Sequence, residues 1–463
     1  MVLHADGTSM TDTATDSSRV GSDLATFVAS LSSEDVPGEA RRLAERAILD
    51  TVGVTLAGAD AEAGTIASAT LDDGTGETTV LGRDERRPLA DAVFTNATAG
   101  HALDFDDVAL AAMDGHPSVP MVAPLLAVGE REGASGREVL TAYVAGFETQ
   151  NYLSRPISPG HYEGGWHATS TIGVFGAAAA VARLLGLSPE RTEHALDIAA
   201  SMPAGLKRNF GSTTKPIHAG QAARSGTTAA LLAAEGATAD SAAIAGDRGF
   251  LELYRGDGTP ALERLPDLGT RWSLLEDGID VKKYPCCYYT HAAIHAASSL
   301  AAAEDLEPGS VDEVVVTASR GAADALAHDD PDTGLEAKFS MPYLVASAIV
   351  RDRVDLAAFD EDRIDDPAVQ SVRERVRLTV DDALAYDSNA ARVEVTTRSG
   401  TEYERFRERP PGTHDDPLSD EELHGKFRMC AEHTPATVDV DDALASLGDL
   451  GSVSDVSGLL EAL

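Results

Sequence analysis

The stretch HALDFDDVALAAMDGHPS, residues 101–118, sets two imidazoles (His101, His116) and four carboxylates (Asp104, Asp106, Asp107, Asp114) between uncharged runs. His101, Asp104, Asp107 and His116 could ligate zinc, iron or manganese. They could equally serve metal-free acid–base chemistry, since an imidazole beside a carboxylate both takes and gives protons near neutral pH. A solvated helix end is the plain alternative. The spacing fits no common zinc motif and no cysteine is near, so the expectation is acid–base or substrate-binding chemistry with no metal. If the helix continues to about residue 109, His101 and Asp104 stand one turn apart, and Asp104, Asp107 and Val108 share a face.

Three further stretches carry reactive side chains. GGWH, residues 164–167, places His167 at the first turn of an uncharged helix, where free N–H groups depress an imidazole pKa and attract anions. FGSTTKPIHAG, residues 210–220, crowds Thr214, Lys215 and His218 before another helix, a set suited to holding a carboxylate. No GKS or GKT follows, so a phosphate loop is excluded. KKYPCCYYTH, residues 282–291, pairs Lys282 with Lys283, which repel each other unless an anion joins them. Cys287 and His291 lie four apart, as an imidazole-activated thiol would require, but no third group is evident to orient the imidazole.

The elements that must position these residues are mostly helices. Helical spacing predicts a helix after Pro37 through Leu43, Ala47, Ile48 and Val52 to near Gly58, then helices over 88–103, 119–132, 137–153, 166–185, 189–202 and 219–235. A short strand or hairpin is expected over 77–81 with the turn-rich DDGTG before it. Near Gly269 the texture changes to β-branched runs at 313–318, 375–380 and 392–397, separated by helices at 291–303 and 339–350. Residues from Asp416 on read as helical again, 421–430 most clearly.

The fold class expected is therefore mainly α, a large all-helical domain with an inserted α+β lid domain. Residues 1–22 read as a disordered N-terminus, 23–275 as the first part of the helical domain, 276–412 as the lid domain and 413–463 as the C-terminal return. The run 166–182 has too few apolar residues for a membrane span and reads as a buried helix.

Acidic residues number 76 against 37 basic ones, a net charge of -39 spread along the chain. Such a surface disfavours nucleic acid and anionic membrane as partners. Dispersed acidity with few lysines points to a halophilic protein, whose self-repulsion is screened at high salt. Three cysteines form no disulfide framework, which fits a cytoplasmic location. The six lysines, Lys207, Lys215, Lys282, Lys283, Lys338 and Lys426, all follow residue 200. The first five lie close to the reactive motifs, whereas Lys426 reads as ordinary helix-end charge.

Taken in order, ALDFDD with GHPS, GWHATSTIG, FGSTTKPIHAG, KKYPCCYYTHAAI and KFSMPYLVA resemble the MmgE/PrpD family over nearly the whole chain, about residues 22 to 460. Its members include 2-methylcitrate dehydratase, cis-aconitate decarboxylase and iminodisuccinate epimerase. The resemblance implies a helical domain built from both ends of the chain, an inserted lid, a homodimer, no cofactor, and a site at the domain junction. It also implies Asp104, His116, His167, Lys215 and Lys282, or its neighbour Lys283, as site residues, with Tyr343; Lys283, His218, Thr214 and His291, from the same motifs, are taken as substrate-binding candidates.

Dehydration beside a carboxylate needs a base for a carbon-bound proton, an acid for the leaving hydroxyl and cations for the carboxylates. His116 and His167 suit the first two tasks, Asp104 would orient an imidazole, Lys215 and Lys282 or Lys283 would hold carboxylates, and Tyr343 would donate to the substrate. Val108 stands where relatives commonly place Thr, and Cys287 where some carry His. The LAAMDGHPS loop follows the dehydratase pattern, so the expected function is a 2-methylcitrate dehydratase-type lyase on a small di- or tricarboxylate. Decarboxylation or epimerisation on the same scaffold, and a non-catalytic carboxylate-binding protein, are the alternatives.

Overall fold

The computed structural model describes residues 17–71, 75–351 and 353–463. Residues 1–16 of the expected disordered start lie outside them. From Ser17 the chain is helical, and Val20–Ser30 buries Val20, Leu24 and Val28. Their four-residue spacing gives a polar-looking segment one apolar stripe, so the expected boundary at residue 22 falls inside a packed helix.

The longer helices begin where their caps dictate. Ser135 and Glu138 form a capping box at the start of Gly136–Ser154, and Ser419 and Glu422 form another at Asp420–Glu432. Ser188 caps Pro189–Ala199 with proline at the first helical position. The helix expected over 166–185 is two pieces, Ala168–Thr171 and Gly173–Leu184. Among the described residues no helix is long and apolar enough to cross a membrane. Thr78–Thr79 does form a strand, but its antiparallel partner is Arg86–Arg87, which follows it. Residues 72–74 of the DDGTG before it lie outside the described residues.

Two large apolar cores are present. One draws on Val20 through Val281 and resumes at Leu418, so both ends of the chain build it. The other runs from Tyr284 to Val395. It holds a four-stranded sheet, ordered Val376–Val380, Val311–Ala318, Ala391–Thr397 and Glu402–Arg407, with the first pair parallel and the other two antiparallel. Alternate residues Val314, Val316, Val393 and Val395 turn inward against the His291–Ala303 and Met341–Val350 helices. The fourth strand, EYERFR, is nearly all exposed, so it lacks the apolar alternation that marked the other three.

The Leu89–Ala102 helix carries His101 into the interior by close backbone approaches. A Cβ on Gly58 would lie 2.0 Å from Ala99 O, and one on Gly220 would lie 2.1 Å from Thr98 Oγ1. Glycine at both positions is a packing requirement. The helix ends at Ala102, and Asp104 takes a left-handed conformation, φ 53°. The helix expected over 88–103 thus ends where it should, but its conditional continuation to about residue 109 is a loop from Leu103 to Ala109, and the one-turn relation of His101 to Asp104 does not exist.

Candidate active site

Asp104 and Asp106, two of the loop's three acidic side chains, go to different partners. Asp104 Oδ1 is 2.5 Å from Lys215 Nζ, and Asp104 Oδ2 is 3.1 Å from Lys282 Nζ. Asp106 Oδ2 is 2.7 Å from His101 Nδ1 and 3.0 Å from His116 Nδ1. The His116 ring stands between the two acids, since its Nε2 is 4.0 Å from Asp104 Oδ1. One carboxylate is thus shared by two ammoniums and the other by two imidazoles.

His167 joins from the start of the Ala168–Thr171 helix. Its ring stacks on His101 at 5.6 Å between centroids, and its Nδ1 lies 3.1 Å from His218 Nδ1. One of these two neutral rings donates to the other, so the tautomer of His218 decides whether His167 Nε2 bears a proton or a lone pair. Phe210 stands edge-on to His167 at 4.9 Å. The backbone N–H of His116 donates to Thr169 Oγ1 at 3.0 Å, which ties the two histidine segments together. Among the described residues His101 Nε2, His116 Nδ1, His167 Nε2 and Asp106 Oδ1 are buried without a hydrogen-bond partner, so the 3.0 Å approach of His116 to Asp106 is an ion-pair distance. Side chains of Asp104, Lys215 and His116 are 14%, 11% and 10% exposed, so the cluster meets solvent on that side.

Burial governs the protonation states. It lowers His101 to about 4 against the pull of Asp106, and it lowers His116 against the same acid, with Lys215 adding to the effect on both. His167 falls well below its ordinary value, first through burial and then through His101 and Lys215. Burial raises Asp104, but the two lysines outweigh it and hold the carboxylate well below its usual range. At neutral pH the cluster therefore contains neutral imidazoles beside ionised Asp104 and Asp106. The ammoniums of Lys215 and Lys282 offset these two carboxylates, so a substrate carboxylate meets the lysines as local donors and not as a net positive surplus.

Other expected residues stand elsewhere. Lys283 pairs with Glu422 at 2.8 Å and is partly exposed; its neighbour Lys282 is the lysine turned inward. Tyr343 lies on the inner face of its helix in the second core, where its hydroxyl donates to Ala358 O and accepts from Arg351. His291 is a core histidine, 3.2 Å from Cys286 O between the rings of Tyr284 and Tyr288. Lys283 and Tyr343 therefore stand apart from the cluster that they were expected to join, whereas His291 lies near enough to Lys282 and Asp104 to feel their charges. Thr214 opens the Thr214–Ala234 helix next to Lys215, half-buried, with its N–H on Ser212 Oγ.

Burial pushes the Cys286 thiol up to about 12 and the Cys287 thiol up to about 11, and His291 bonds the Cys286 carbonyl. These are poor conditions for a thiolate nucleophile. Asp107 accepts from Ser118, whose Oγ is 2.6 Å from the Tyr143 hydroxyl, and burial holds its carboxyl well above the usual range. This protonated acid braces the loop against the Val119–Glu132 helix.

The metal reading meets a different set from the one expected. Ligand atoms of His101, Asp106 and His116 lie within 4.8 Å of one another, while Asp104 and Asp107 are engaged by lysines and serine. His101 Nδ1 already contacts the carboxylate at an N–H···O distance, and Lys215 and Lys282 repel a cation placed there. The arrangement fits a hydrogen-bonded acid–base cluster better than a metal site. A surface groove of about 640 Å³ between the first helix and residues 265–272 contains none of these side chains.

The profile of the MmgE/PrpD N-terminal domain matches residues 22–263, and that of the MmgE/PrpD C-terminal domain matches residues 284–446. The cis-aconitate decarboxylase of Mus musculus is 28% identical over 91% of this chain and 88% of its own length. That of Homo sapiens is 28% identical over 90% of this chain and 89% of its own length. That of Aspergillus terreus is 26% identical over 96% of each.

Proposed function

The chain belongs to the MmgE/PrpD family, and from that premise we propose that it is a lyase that breaks a bond beside a carboxylate of a small di- or tricarboxylate, without a cofactor. The observation that carries this reading is the sharing of Asp104 by Lys215 and Lys282 beside three neutral imidazoles. Lys215 and Lys282 hold a substrate carboxylate and stabilise the enolate-like charge that builds on it. His116 and His167 exchange the proton, and Asp106 stabilises an imidazolium formed on His116. Lys215, His218 and Thr214 line the substrate side. The part built on the second core acts as a lid, the working unit is a homodimer, and the location is cytoplasmic.

Two finer readings differ in the bond broken. Likeness to cis-aconitate decarboxylases over nine-tenths of the chain favours decarboxylation of a cis-aconitate-type acid. There the C–C bond breaks, CO₂ leaves, and a His116 or His167 ring that has taken up a solvent proton as the substrate carboxylates bind gives that proton to the carbanion. The LAAMDGHPS loop favours 2-methylcitrate-type dehydration, in which an imidazole takes a carbon-bound proton and the hydroxyl leaves as water with a proton from the acid. We rank decarboxylation first because a whole-chain likeness outweighs nine residues of loop.

An NMR time course in D₂O and molar salt, with 2-methylcitrate, citrate, cis-aconitate and iminodisuccinate, decides among them. Decarboxylation gives a product with deuterium on carbon, dehydration gives a new alkene, and epimerisation gives exchange at one carbon. An unchanged panel leaves a carboxylate-binding protein. Turnover that chelator abolishes and one divalent ion restores would make His101, Asp106 and His116 a metal site.

A further inference from the structure

Three lysines from three separate parts of the chain each donate to a successive backbone carbonyl of one loop. Lys338 Nζ is 2.9 Å from Leu103 O, Lys282 Nζ is 2.8 Å from Asp104 O, and Lys426 Nζ is 2.8 Å from Phe105 O. Lys338 follows the Gly334–Ala337 helix, Lys282 lies where the chain passes between the two cores, and Lys426 sits within Asp420–Glu432. All three are buried. A buried ammonium is costly unless its donors are used, so half of the lysines in a lysine-poor chain converge on one loop at a cost that ordinary carbonyl satisfaction does not require.

Each cation is anchored differently. Lys282 is held by the Asp104 carboxylate. Lys426 pairs with Asp50 at 2.7 Å and lies 3.9 Å from the centre of the Phe105 ring. Lys338 pairs with no carboxylate among the described residues. It bonds a second carbonyl, Pro285 O at 2.6 Å, and lies 4.4 Å from the centre of the Phe359 ring. Without a counter-charge in contact, burial brings Lys338 down to about 8, whereas Asp104 and Asp106 keep Lys282 raised despite its burial. The loop between these anchors carries the left-handed Asp104, a conformation that neighbouring contacts must hold.

We propose that Lys338 and Lys426 are positioning residues, which fix the backbone of Leu103–Phe105 so that Asp104 meets Lys215 and Lys282 while Asp106 reaches His101 and His116. Neither ammonium needs to touch substrate. Their effect on turnover rests on the lyase reading; their effect on the histidine cluster does not.

The test uses the full-length Lys338→Met variant and the double variant Asp50→Asn/Lys426→Met, in which no buried carboxylate is stranded. Two readouts are taken: kcat and KM on whichever panel acid turns over, and the low-field ring N–H proton signals of His101 and His116, assigned with histidine-labelled protein. A shift of the loop by about an ångström lowers kcat roughly 10- to 100-fold, with KM within about threefold, because the variants disturb orientation and not binding. The low-field signals move upfield or vanish as Asp106 leaves the imidazoles. Folded variants with wild-type kcat and unchanged signals overturn the proposal. So does a rise in KM alone, which makes these lysines substrate contacts, or a kcat loss with the histidine signals intact. If the wild type turns over no panel acid, the lyase reading falls and the proton signals alone decide the clamp.

Discussion

A carboxylate between two imidazoles and a carboxylate between two ammoniums do opposite things to their partners. Asp106 favours a proton on His101 or His116, against burial, whereas Asp104 consumes part of the positive charge that a substrate would otherwise meet. Asp106→Asn should therefore keep the fold but lower kcat about 10²- to 10⁴-fold, because the imidazolium loses its counter-charge and the rings lose their orientation. Steady-state kinetics with a circular dichroism control checks this, and a variant within tenfold of wild type removes Asp106 from the chemistry. Lys282→Met should lose at least about 100-fold in kcat/KM, while Lys283→Met should stay within about twofold, since its ammonium faces Glu422 at the surface. The reverse order would restore Lys283 as the site lysine. His101 also predicts a pH effect of definite sign. Its folded pKa, about 4, lies below the unfolded value near 6.5, so between these pH values the unfolded chain binds a proton that the native ring refuses, and stability falls as pH falls. Asp107 and Glu148, raised by burial, act in the opposite direction over part of this range, so the comparison must be between variants. From pH 7 to pH 4 the stability of His101→Asn relative to wild type should improve by on the order of 3 kcal/mol, measured by urea unfolding. A constant difference would mean that His101 titrates normally. The motifs did contain Asp104, His116, His167, Lys215 and Lys282, all of which meet in one cluster. Asp106 was passed over because a helix to residue 109 would set Asp104, not Asp106, beside His101; Lys426 was passed over because its partner, Phe105 O, is a backbone atom that no spacing rule reveals.

Helices with an apolar stripe or a clear cap were legible to within a few residues, as Gly38–Gly58, Val119–Glu132 and His291–Ala303 illustrate. What failed was local. Ile172 interrupts the expected 166–185 helix in a run of small uncharged residues that carries no breaker signal, and the Glu402–Arg407 strand has polar residues on both faces. The helix end near Leu103 was legible, but the left-handed turn at Asp104 was not, because contacts from distant segments fix it. Close helix packing is what delivers His101 to those contacts. Gly220→Ala would push a methyl into Thr98 Oγ1 and, at 2.7 Å, into Phe94 O on the Leu89–Ala102 helix. The side chain can rotate but the carbonyl cannot, so this helix must shift. The expected cost is about 1–3 kcal/mol by overpacking, together with a fall in kcat from displacement of His101. Gly236→Ala, at an exposed glycine with positive φ and open space around it, should cost stability by backbone strain alone and leave kcat unchanged. Equal kcat in the two folded variants would mean that the helix position does not set the cluster.

Across the whole molecule the distribution of positive charge is as telling as its amount. Lys215, Lys282, Lys338 and Lys426 are buried, so four of the six lysines add little to the surface and the exposed cations are almost entirely arginine. Buried Asp50, Asp106, Asp107, Glu148 and Asp197 offset the buried cations, so the surface keeps about the net charge of -39. Surface arginines do find acids, as Arg42 with Glu39 and Arg377 with Glu313 show, but exposed pairs contribute only about 0–1 kcal/mol each and weaken with salt. The dominant long-range term is repulsion among unpaired acids. At 0.1 M salt the Debye length is about 10 Å, enough for neighbouring carboxylates to repel; at 1 M it is about 3 Å, and that repulsion is largely removed. The buried charge pairs around Asp104 and Asp50 are shielded from the same ions and should change little. The melting midpoint should consequently rise by roughly 3–5 °C between 0.1 M and molar salt, the shift that about 3–5 kcal/mol gives a chain of 463 residues, whose unfolding entropy comes to about 1 kcal/mol per degree. NaCl and KCl should act alike, because screening depends on ionic strength and not on a specific ion site. Differential scanning calorimetry across a salt series is the measurement. A midpoint that stays flat, or falls as the surface ion pairs are screened, would mean that surface repulsion is not what limits this fold, and the case for adaptation to high salt would go with it.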